Sequence, residues 1–578
     1  MSRKLLWAFA AAAALTACKR EATETPAAAP EPAAPAAAEH AFTAAINEAD
    51  FAERVKTLAS DEFEGRAPGS AGEEKTVAYL EAQMKLIGLQ PGNNGSYFQD
   101  VPMVETTASE DTTLVIQPSE GESRELAFGE DMVMVTRSGE TQVSVKDSEL
   151  VFVGYGVNAP EQDWNDYEGL DVTGKTVVIL VNDPGFHAAD ESLFEGNRMT
   201  YYGRWTYKFE EAARQGAQAA IIIHDTPGAS YGWDVVQNSW SGPQFDLRPS
   251  DDPEPRLPAQ GWITAEVATQ LFADAGLELD AMYEAAGKRG FKPVPLDATV
   301  SFDLSSTIEE KSSRNVVGVL PGAERPDEAV VYLAHWDHLG THEGEGDQVY
   351  NGAVDNATGV AGIIEIAGAF AAQQPPPARS LVFVAVTLEE SGLLGSKYYV
   401  AHPAFPMDKT VAAINLDAMS VNGPSRDMVV VGKGSSELED LLETATAGQQ
   451  RTLVEESNPA GGFYFRSDHF NFAKAGVPAL YAKGGDDLVD GGKEAGKVAG
   501  EDYTANRYHK AADEFSEDWN LEGVIQDLEV LYAVGREVAG GDTWPQWREG
   551  NPFRAAREAS LAGAAGETGT EDGAEAGA

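Results

Sequence analysis

The apolar run from Val330 to Ala334 constrains the fold more than any other stretch, because it ends directly in chemically reactive side chains. His335 and Asp337 follow it, and Asp355 comes after a glycine-rich acidic loop, at the head of a helical pattern. A short apolar run bounded in this way is typical of a buried strand. In open α/β sheets, ligands bind beyond the carboxyl ends of such strands. The sequence therefore predicts a functional site at the end of this strand.

From about residue 314 onward, strand-like and helix-like patterns alternate. The predicted strands cover residues 315–320, 330–334, 381–387, 411–416, 428–431 and 479–482. The predicted helices cover about 356–372, 435–446, 467–474 and 521–538. This alternation predicts an α/β fold with a mixed, largely parallel sheet flanked by helices.

A β-rich segment interrupts the chain before that alternation begins. Apolar residues recur at helical spacing over 51–58 and 77–87, where Gly88 is a plausible stop, but from about 111 the period changes to two. We therefore expect an inserted β-rich domain over 145–305. An N-terminal part over 43–144 precedes it, and the main α/β domain over 306–550 follows it.

Both ends of the chain have compositions that differ from those of a folded domain. Residues 1–18 combine a positive start, an apolar run and a Leu-Thr-Ala-Cys end, which is a secretory signal and resembles a bacterial lipoprotein signal. Cys18 would then be lipidated; the alternative is an ordinary signal peptide cut nearby. We expect disorder in the Ala/Pro tether over 19–42 and in the acidic tail over 551–578.

The charge balance limits the classes of partner. The formal net charge is −51, which argues against nucleic acid, because a phosphate-binding face needs clustered Lys and Arg. The apolar run of the signal is too short for a membrane span, and no other stretch reaches that length. We therefore expect an exported periplasmic or cell-surface lipoprotein, anchored in the outer membrane and touching the membrane only through its lipidated N-terminus.

Polar residues collect where the predicted strands end. They come from five separate places in the chain: His335 with Asp337, Asp355, Glu389 with Glu390, Asp417, and His509. Mixed His and carboxylate donors suit zinc or a similar borderline metal. A shared carboxylate can bridge two such ions, and of two adjacent glutamates one can bind metal while the other takes a proton from water.

Each of these pieces also has an ordinary explanation. A Glu-Glu pair is commonly a solvated surface, and Asp355 could be a helix N-cap. His338, His342 and His469 are further candidates, although we interpret the first two as loop residues without a strand behind them. The coincidence of five polar positions at the strand ends of one domain favours the site over these explanations.

Five motifs, in chain order, resemble those of the M28 family of zinc peptidases. They are His335-Trp-Asp-His-Leu-Gly, Tyr350-Asn-Gly-Ala-Val-Asp-Asn-Ala-Thr-Gly, Glu389-Glu-Ser-Gly-Leu-Leu-Gly-Ser, Asn415-Leu-Asp and Tyr508-His. Ser467-Asp-His and the segment from Leu58 to Gly69 also fit. The resemblance covers about 45–105 and 310–540. The insert is similar to a protease-associated (PA) domain, a non-catalytic cover, through the motifs Val153-Gly-Tyr-Gly-Val-Asn, Asp171-Val-Thr-Gly-Lys-Thr-Val-Val-Ile and Ala212-Ala-Arg-Gln-Gly-Ala.

The resemblance implies a metal-dependent exopeptidase that acts on peptides, most simply an aminopeptidase with two Zn²⁺ ions. One ion would be held by His335, Asp355 and Asp417, and the other by Asp355, Glu390 and His509. Glu389 would be the general base and Asp337 would orient His335. A cis peptide bond is also implied after the bridging aspartate, at Asp355–Asn356.

Three alternatives stay open at this point. A carboxypeptidase or dipeptidase would need a cationic pocket for the substrate's C-terminal carboxylate, and Arg466 is the one arginine near the motifs. A glutaminyl cyclase-like enzyme on the same fold would use a single zinc. A binding module on an inactive peptidase scaffold would be expected to have lost a ligand, and none is lost here.

Overall fold

The computed structural model describes residues 40–571, apart from 189, 191, 343 and 345. The predicted signal peptide, Cys18 and the tether up to residue 39 lie outside the described residues. Within them, no helix has both the length and the apolar character needed to cross a membrane.

Twenty-one strands are present in the described part of the chain. They are β1 (Gln90–Pro91), β2 (Phe98–Ala108), β3 (Thr113–Pro118), β4 (Arg124–Ala127), β5 (Met132–Val135), β6 (Gln142–Phe152), β7 (Asn158–Ala159), β8 (Trp164–Asn165), β9 (Thr176–Leu180), β10 (Ala219–Ile223), β11 (Pro243–Leu247), β12 (Ala259–Ile263), β13 (Val294–Leu320), β14 (Arg325–His335), β15 (Gly340–Thr341), β16 (Val349–Tyr350), β17 (Arg379–Val386), β18 (Thr410–Asn415), β19 (Asp427–Val430), β20 (Thr452–Glu455) and β21 (Ala479–Gly484).

Fifteen α-helices accompany them in the same part of the chain. They are α1 (Glu48–Leu58), α2 (Ala71–Ile87), α3 (Pro184–Ala188), α4 (Trp205–Arg214), α5 (Thr226–Ala229), α6 (Trp233–Trp240), α7 (Ala265–Asp274), α8 (Leu279–Ala286), α9 (Thr358–Ala372), α10 (Leu394–Ala401), α11 (Leu438–Gly448), α12 (His469–Lys474), α13 (Gly492–Asn506), α14 (Glu522–Gly540) and α15 (Arg554–Glu571). The predicted stop of α2 is confirmed, because Gly88 has a φ of 90°, which glycine adopts without steric cost.

The central sheet has the predicted mixed, largely parallel character. Its four middle strands run parallel in the order β17, β14, β18 and β21, while β13 and β19 flank them in the opposite direction. β17 and β18 are buried throughout, β14 is buried from Ala329 onward, and β21 is buried over its first four residues. Helices α9 and α14 pack on one face of the sheet, so the parallel strands are covered as their apolar composition requires.

A second sheet is built on the same long strand. β13 pairs with β6 up to Ser305 and with β2 from Ser306 onward, so one continuous strand of 27 residues crosses from one sheet to the other. The second sheet also contains β3, β4 and β5, which lie before the expected domain start at 145. Period-two patterning predicts strands but not their partners, so the expected start of the insert at 145 stays a prediction.

The C-terminal tail differs from the disorder expected over 551–578. Helix α15 occupies Arg554–Glu571, and residues 572–578 lie outside the described part. Phe553 and Arg557 are buried, and the guanidinium of Arg557 donates to the backbone oxygens of Met407 and Thr410 at 3.0 and 2.9 Å. The low apolar content of the tail concealed this anchoring by one arginine and one phenylalanine.

Gly535 allows α14 to pack against the central sheet. A Cβ at this position would collide with the hydroxyl group of Tyr332, a fully buried residue of β14 that donates a hydrogen bond to the backbone oxygen of Leu531. We expect Gly535→Ala to lower the free energy of unfolding by about 2 kcal/mol, the usual scale of overpacking. Urea denaturation followed by circular dichroism measures this change.

Gly500→Ala is the matched control, because nothing lies within 4 Å of a Cβ at that position of α13. Replacing glycine inside a helix there should raise stability by about 0.5–1 kcal/mol. Equal unfolding free energies for wild type and Gly535→Ala would contradict this account of the helix–sheet contact.

Candidate active site

The parallel strands bring three of the predicted positions to one edge of the central sheet. His335 is the last residue of β14, Glu389 follows the end of β17, and Asp417 follows the end of β18. Because β17, β14 and β18 are parallel neighbours, their carboxyl ends lie side by side. The chemistry predicted at separate strand ends therefore meets in one pocket.

Asp355 lies at the centre of this pocket. One carboxylate oxygen, Oδ1, is 3.2 Å from Nε2 of His335, and the other, Oδ2, is 3.3 Å from Nε2 of His509. Asp417 faces the same His335 nitrogen at 3.5 Å, and Glu390 faces the same His509 nitrogen at 3.1 Å. Asp355 thus divides its two oxygens between two imidazoles, each of which has a second carboxylate beside it.

The loop that carries Asp355 is held by an aspartate from another part of the chain. The peptide bond between Asp355 and Asn356 is cis, as expected. The carboxylate of Asp513 accepts hydrogen bonds from the backbone N–H groups of Val354 and Asp355, both at 3.0 Å. These two bonds fix the backbone from which the central carboxylate extends.

Asp337 is buried beside His335, but its carboxylate does not make the expected hydrogen bond with the imidazole. Its carboxylate oxygen is 3.8 Å from Nδ1 of His335, too far for a hydrogen bond, whereas its backbone oxygen lies 3.2 Å from that nitrogen. The carboxylate accepts a hydrogen bond from the backbone N–H of Glu389 instead. In this structure the main chain of Asp337, and not its side chain, orients the imidazole.

His338 belongs to the site, although the sequence analysis treated it as a loop residue. Its side chain is fully buried, and its Nδ1 is 2.7 Å from Oε1 of Glu390. The other ring nitrogen, Nε2, is buried and has no hydrogen-bond partner in the part of the chain that the structure describes. His342, the other histidine interpreted as a loop residue, is exposed. The signal that could have found His338 is its spacing, three residues after a strand-terminal histidine.

Arg66 is a second residue that the sequence did not assign to the site. Its buried guanidinium donates to the backbone oxygens of Trp336, Asn351 and Gly352, at 2.8, 2.5 and 2.9 Å, as well as to Leu58. These carbonyls belong to the two segments that carry His335 and Asp355. Burial lowers the pKa of Arg66 to about 10, and nearby carboxylates, Asp513 first among them, oppose that shift.

The segment that begins at Ser467 supports the site through its serine. Ser467 Oγ donates to Oδ2 of Asp417 at 2.7 Å and accepts from the side-chain amide of Asn415. His469 is buried, and neither of its ring nitrogens has a hydrogen-bond partner among the described residues. Burial lowers the pKa of His469 to about 3, so this candidate from the sequence is a neutral core residue.

The pocket stabilises positive charge. Burial alone would lower the pKa of both imidazoles, but the carboxylates around them raise the pKa of His335 well above its usual value and that of His509 to about 10. Conversely, burial raises the pKa of Glu389 well above its ordinary range, and the negative charges of Glu390, Asp417 and Asp468 add to this effect. A pocket with these properties attracts cations.

The donor set fits a zinc site. Three groups each have ligand atoms within 4.8 Å of one another: His335 with Asp355 and Asp417, His335 with Glu389 and Glu390, and His338 with Asp355 and Glu390. Imidazole nitrogen and carboxylate oxygen are the usual ligands of catalytic zinc. All seven residues predicted from the sequence lie in or directly beside these groups, and the role of each one stays a prediction.

Comparison with known proteins identifies the part of the chain that carries these residues. Residues 315–533 match the model of peptidase family M28. We call this part of the chain the M28 domain, after the family model that it matches. It contains His335, Asp355, Glu389, Asp417 and His509 and ends within α14.

The chain also has curated relatives. Aminopeptidase NAALADL1 of Mus musculus is 32% identical over 136 residues, which are 22% of this chain and 17% of the relative. Leupeptin-inactivating enzyme 1 of Streptomyces exfoliatus is 27% identical over 232 residues, which are 39% of this chain and 49% of the relative. The chain thus spans about a sixth of the length of the mouse protein and about half that of the Streptomyces protein.

Among solved structures, the chain is similar to the aminopeptidase from Aneurinibacillus sp. strain AM-1. The TM-score is 0.45 at 21% sequence identity, and the alignment covers 86% of this chain and 95% of that one.

His338 provides a test of how the M28 domain holds Glu390. Removing the imidazole in His338→Ala deletes the 2.7 Å hydrogen bond that fixes Oε1 of Glu390. Losing a hydrogen bond that orients a metal ligand typically weakens metal affinity by roughly 10- to 100-fold. Isothermal titration of the apoprotein with Zn²⁺ measures this change directly.

His342→Ala is the control, since that side chain is exposed on the same loop, and it should bind Zn²⁺ as the wild type does. If His338→Ala and His342→Ala had equal Zn²⁺ affinities, the assignment of His338 to the site would be wrong.

Proposed function

We propose that the protein is a metal-dependent exopeptidase of the aminopeptidase type, with two Zn²⁺ ions in the pocket. The observation that carries this proposal is the position of Asp355, whose two carboxylate oxygens face two different imidazoles at 3.2 and 3.3 Å. His335 and Asp417 would complete one side of the centre, and His509 and Glu390 the other. An arrangement with one shared carboxylate suits two neighbouring ions, as used by aminopeptidases and phosphatases.

Glu389 is the residue that moves the proton. Bound divalent ions would supply Lewis acidity, which lowers the pKa of water and polarises a carbonyl group. The carboxylate of Glu389 would accept a proton from the attacking water and return it to the nitrogen of the leaving amine. The backbone N–H of Glu389 donates a hydrogen bond to the carboxylate of Asp337 at 3.2 Å. This bond fixes the turn that bears the Glu389 side chain.

Two features would bind the substrate: the carboxylates of the pocket and a cavity beside it. The ammonium group of a free N-terminus would be attracted to the carboxylates of Asp355 and Glu390. A cavity of about 400 Å³ adjoins Asp417, because Tyr481 lines it and donates its hydroxyl hydrogen to the backbone oxygen of Asp417 at 3.1 Å. Val429, Val431 and Val454 form apolar walls of this cavity, which suits part of a peptide.

The relatives point in the same direction. The mouse relative is named an aminopeptidase, and the Streptomyces relative is named for the inactivation of leupeptin. Both names describe proteins that act on peptides or peptide-like compounds. Peptides are therefore the substrate class that we propose for this chain.

The alternatives differ in the part of the substrate that they require. A carboxypeptidase would ignore the state of the N-terminus, a glutaminyl cyclase-like enzyme would use one zinc and form pyroglutamate without net hydrolysis, and a binding module would catalyse nothing. The crowding of carboxylates around His335 and His509 favours recognition of an amine, and therefore the aminopeptidase.

A panel of aminoacyl p-nitroanilides, each offered with a free and with an acetylated N-terminus, tests this proposal. We expect the free substrates to be cleaved, chelation to abolish the activity, and the acetylated substrates to be inert because they lack the ammonium group. Cleavage of the acetylated forms at comparable rates would exclude an aminopeptidase.

Glu389→Gln in the same assay tests the proton carrier. This variant should lower kcat by about 100-fold or more, the usual contribution of a general base, while zinc content by mass spectrometry stays at the wild-type level. Retained activity would remove Glu389 from the mechanism.

Sequence motifs support two further proposals, on the role of the insert and on the location of the protein. We propose that the second sheet and its helices form a PA-like cover over the M28 domain, on the strength of the motifs in the insert. We also propose that the protein is exported and anchored through Cys18, because residues 1–18 have the form of a lipoprotein signal.

A further inference from the structure

Two arginines close to the active site have no anionic partner. In the described part of the chain, every other arginine except Arg536 donates to a carboxylate or a carbonyl oxygen. Arg204 and Arg466 make no such hydrogen bond, and Nε of Arg204 is buried without an acceptor. In a chain with 93 acidic residues and 42 basic ones, two partnerless arginines require an explanation.

Aromatic packing brings these two arginines together from positions far apart in the sequence. The ring of Tyr201, three residues before Arg204, packs against Phe465 and Phe470 with centroid distances of 6.5 and 5.5 Å. Phe465 is the residue directly before Arg466. The contact between the insert and the M28 domain therefore places one arginine from each at the same junction.

Electrostatics agree with this placement. Burial, followed by the positive charge of Arg466, lowers the pKa of Arg204 to about 10. Tyr231 lies beside both: burial raises the pKa of its hydroxyl, and the charges of Arg204 and Arg466 oppose that rise. The two guanidinium groups and the phenol therefore lie close enough to influence one another's pKa, and all three can donate hydrogen bonds.

The junction is connected to the pocket through the cavity described above. The guanidinium of Arg466 lies over the ring of Phe463, 5.4 Å from its centroid, and Phe463 lines the same cavity as Tyr481 and Lys483. On the other side, Arg466 directly precedes Ser467, whose hydroxyl donates to Asp417. Arg466 therefore lies between the cavity wall at Phe463 and the segment that supports Asp417.

The acidic residues that line this cavity leave the two arginines unpaired. Glu455 and Glu456 both lie against Arg198, and the carboxylate of Asp427 accepts from the backbone N–H of Asp487. Asp486 is the one remaining carboxylate of the cavity wall, and Lys493 also lines it. No carboxylate in the described part of the chain therefore forms an ion pair with Arg204 or Arg466.

We propose that Arg204, Arg466 and Tyr231 form a binding site for a carboxylate of the peptide substrate. This inference rests on the proposed function and deepens it, since it makes short peptides with a free carboxylate the preferred substrates. A guanidinium presents its N–H groups in a planar fork that matches a carboxylate.

The test compares substrates that differ only in the carboxylate. Wild-type protein should cleave Leu-Gly-Gly with a kcat/KM about tenfold or more above that of Leu-Gly-Gly amide, as expected for a charge-assisted hydrogen bond. Comparing the cleavage of Leu-Glu-Gly amide with that of Leu-Gln-Gly amide shows whether the bound group is an acidic side chain or the C-terminal carboxylate. A preference in either pair supports the site and identifies its source.

Arg466→Gln and Arg204→Gln should each remove most of this preference, mainly by raising KM for the carboxylate-bearing peptide. Arg536→Gln is the control, because that arginine also lacks an anionic partner but lies on an exposed face of α14. Arg466 is exposed, so its variant should fold even if the variant of the more buried Arg204 does not.

Leucyl p-nitroanilide separates this proposal from the proposed function, because it carries no carboxylate. Its cleavage by wild type and by Arg466→Gln at similar rates shows an intact catalytic centre. If the anilide is cleaved but wild type shows no preference in either peptide pair, or Arg466→Gln keeps the preference unchanged, the carboxylate site is wrong. If wild type cleaves neither the anilides nor the peptides, the proposed function fails, and this inference falls with it.

Discussion

A high concentration of like charge in a small buried volume is the constraint on which the rest of the structure depends. Asp337 and Asp355 are buried, and Glu389, Glu390 and Asp417 are half-buried beside them, so that five carboxylates share one pocket. Burying carboxylates is costly unless each is hydrogen-bonded or paired with positive charge. The high pKa values of His335 and His509 are responses to this negative potential. Burial is the first cause of the high pKa of Glu389, and the neighbouring negative charges add to it. A site of this kind is suited to hold cations.

The surrounding fold supplies part of the positive charge that these carboxylates need. It also fixes the backbone of the segments that carry them. Arg66 places a permanent positive charge behind the pocket and joins the segments of His335 and Asp355 through their backbone oxygens. Asp513 holds the backbone of the Asp355 loop from the opposite side. Because these restraints act on main-chain atoms, the side-chain oxygens and nitrogens of the pocket stay available for ligands.

Much of this arrangement could be predicted from the sequence. Apolar runs that end in His335, Glu389 and Asp417 indicated both the parallel sheet and the edge at which its chemistry lies, since parallel strands end together. His338 was missed because the loop after β14 folds back toward Glu390, and that path depends on tertiary contacts. Arg66 was missed because its hydrogen bonds go to backbone oxygens, which have no sequence signature. The proximity of Arg204 to Arg466 depends on how the insert packs against the M28 domain, and local sequence patterns do not encode this contact.

The central claim is that Asp355 is shared between two metal ions. The most direct measurement is anomalous X-ray diffraction at the zinc absorption edge from crystals of the zinc-loaded protein. The account predicts two anomalous peaks, one between His335, Asp355 and Asp417 and the other between His509, Asp355 and Glu390. A single peak at full occupancy, or peaks that do not contact Asp355, would contradict it.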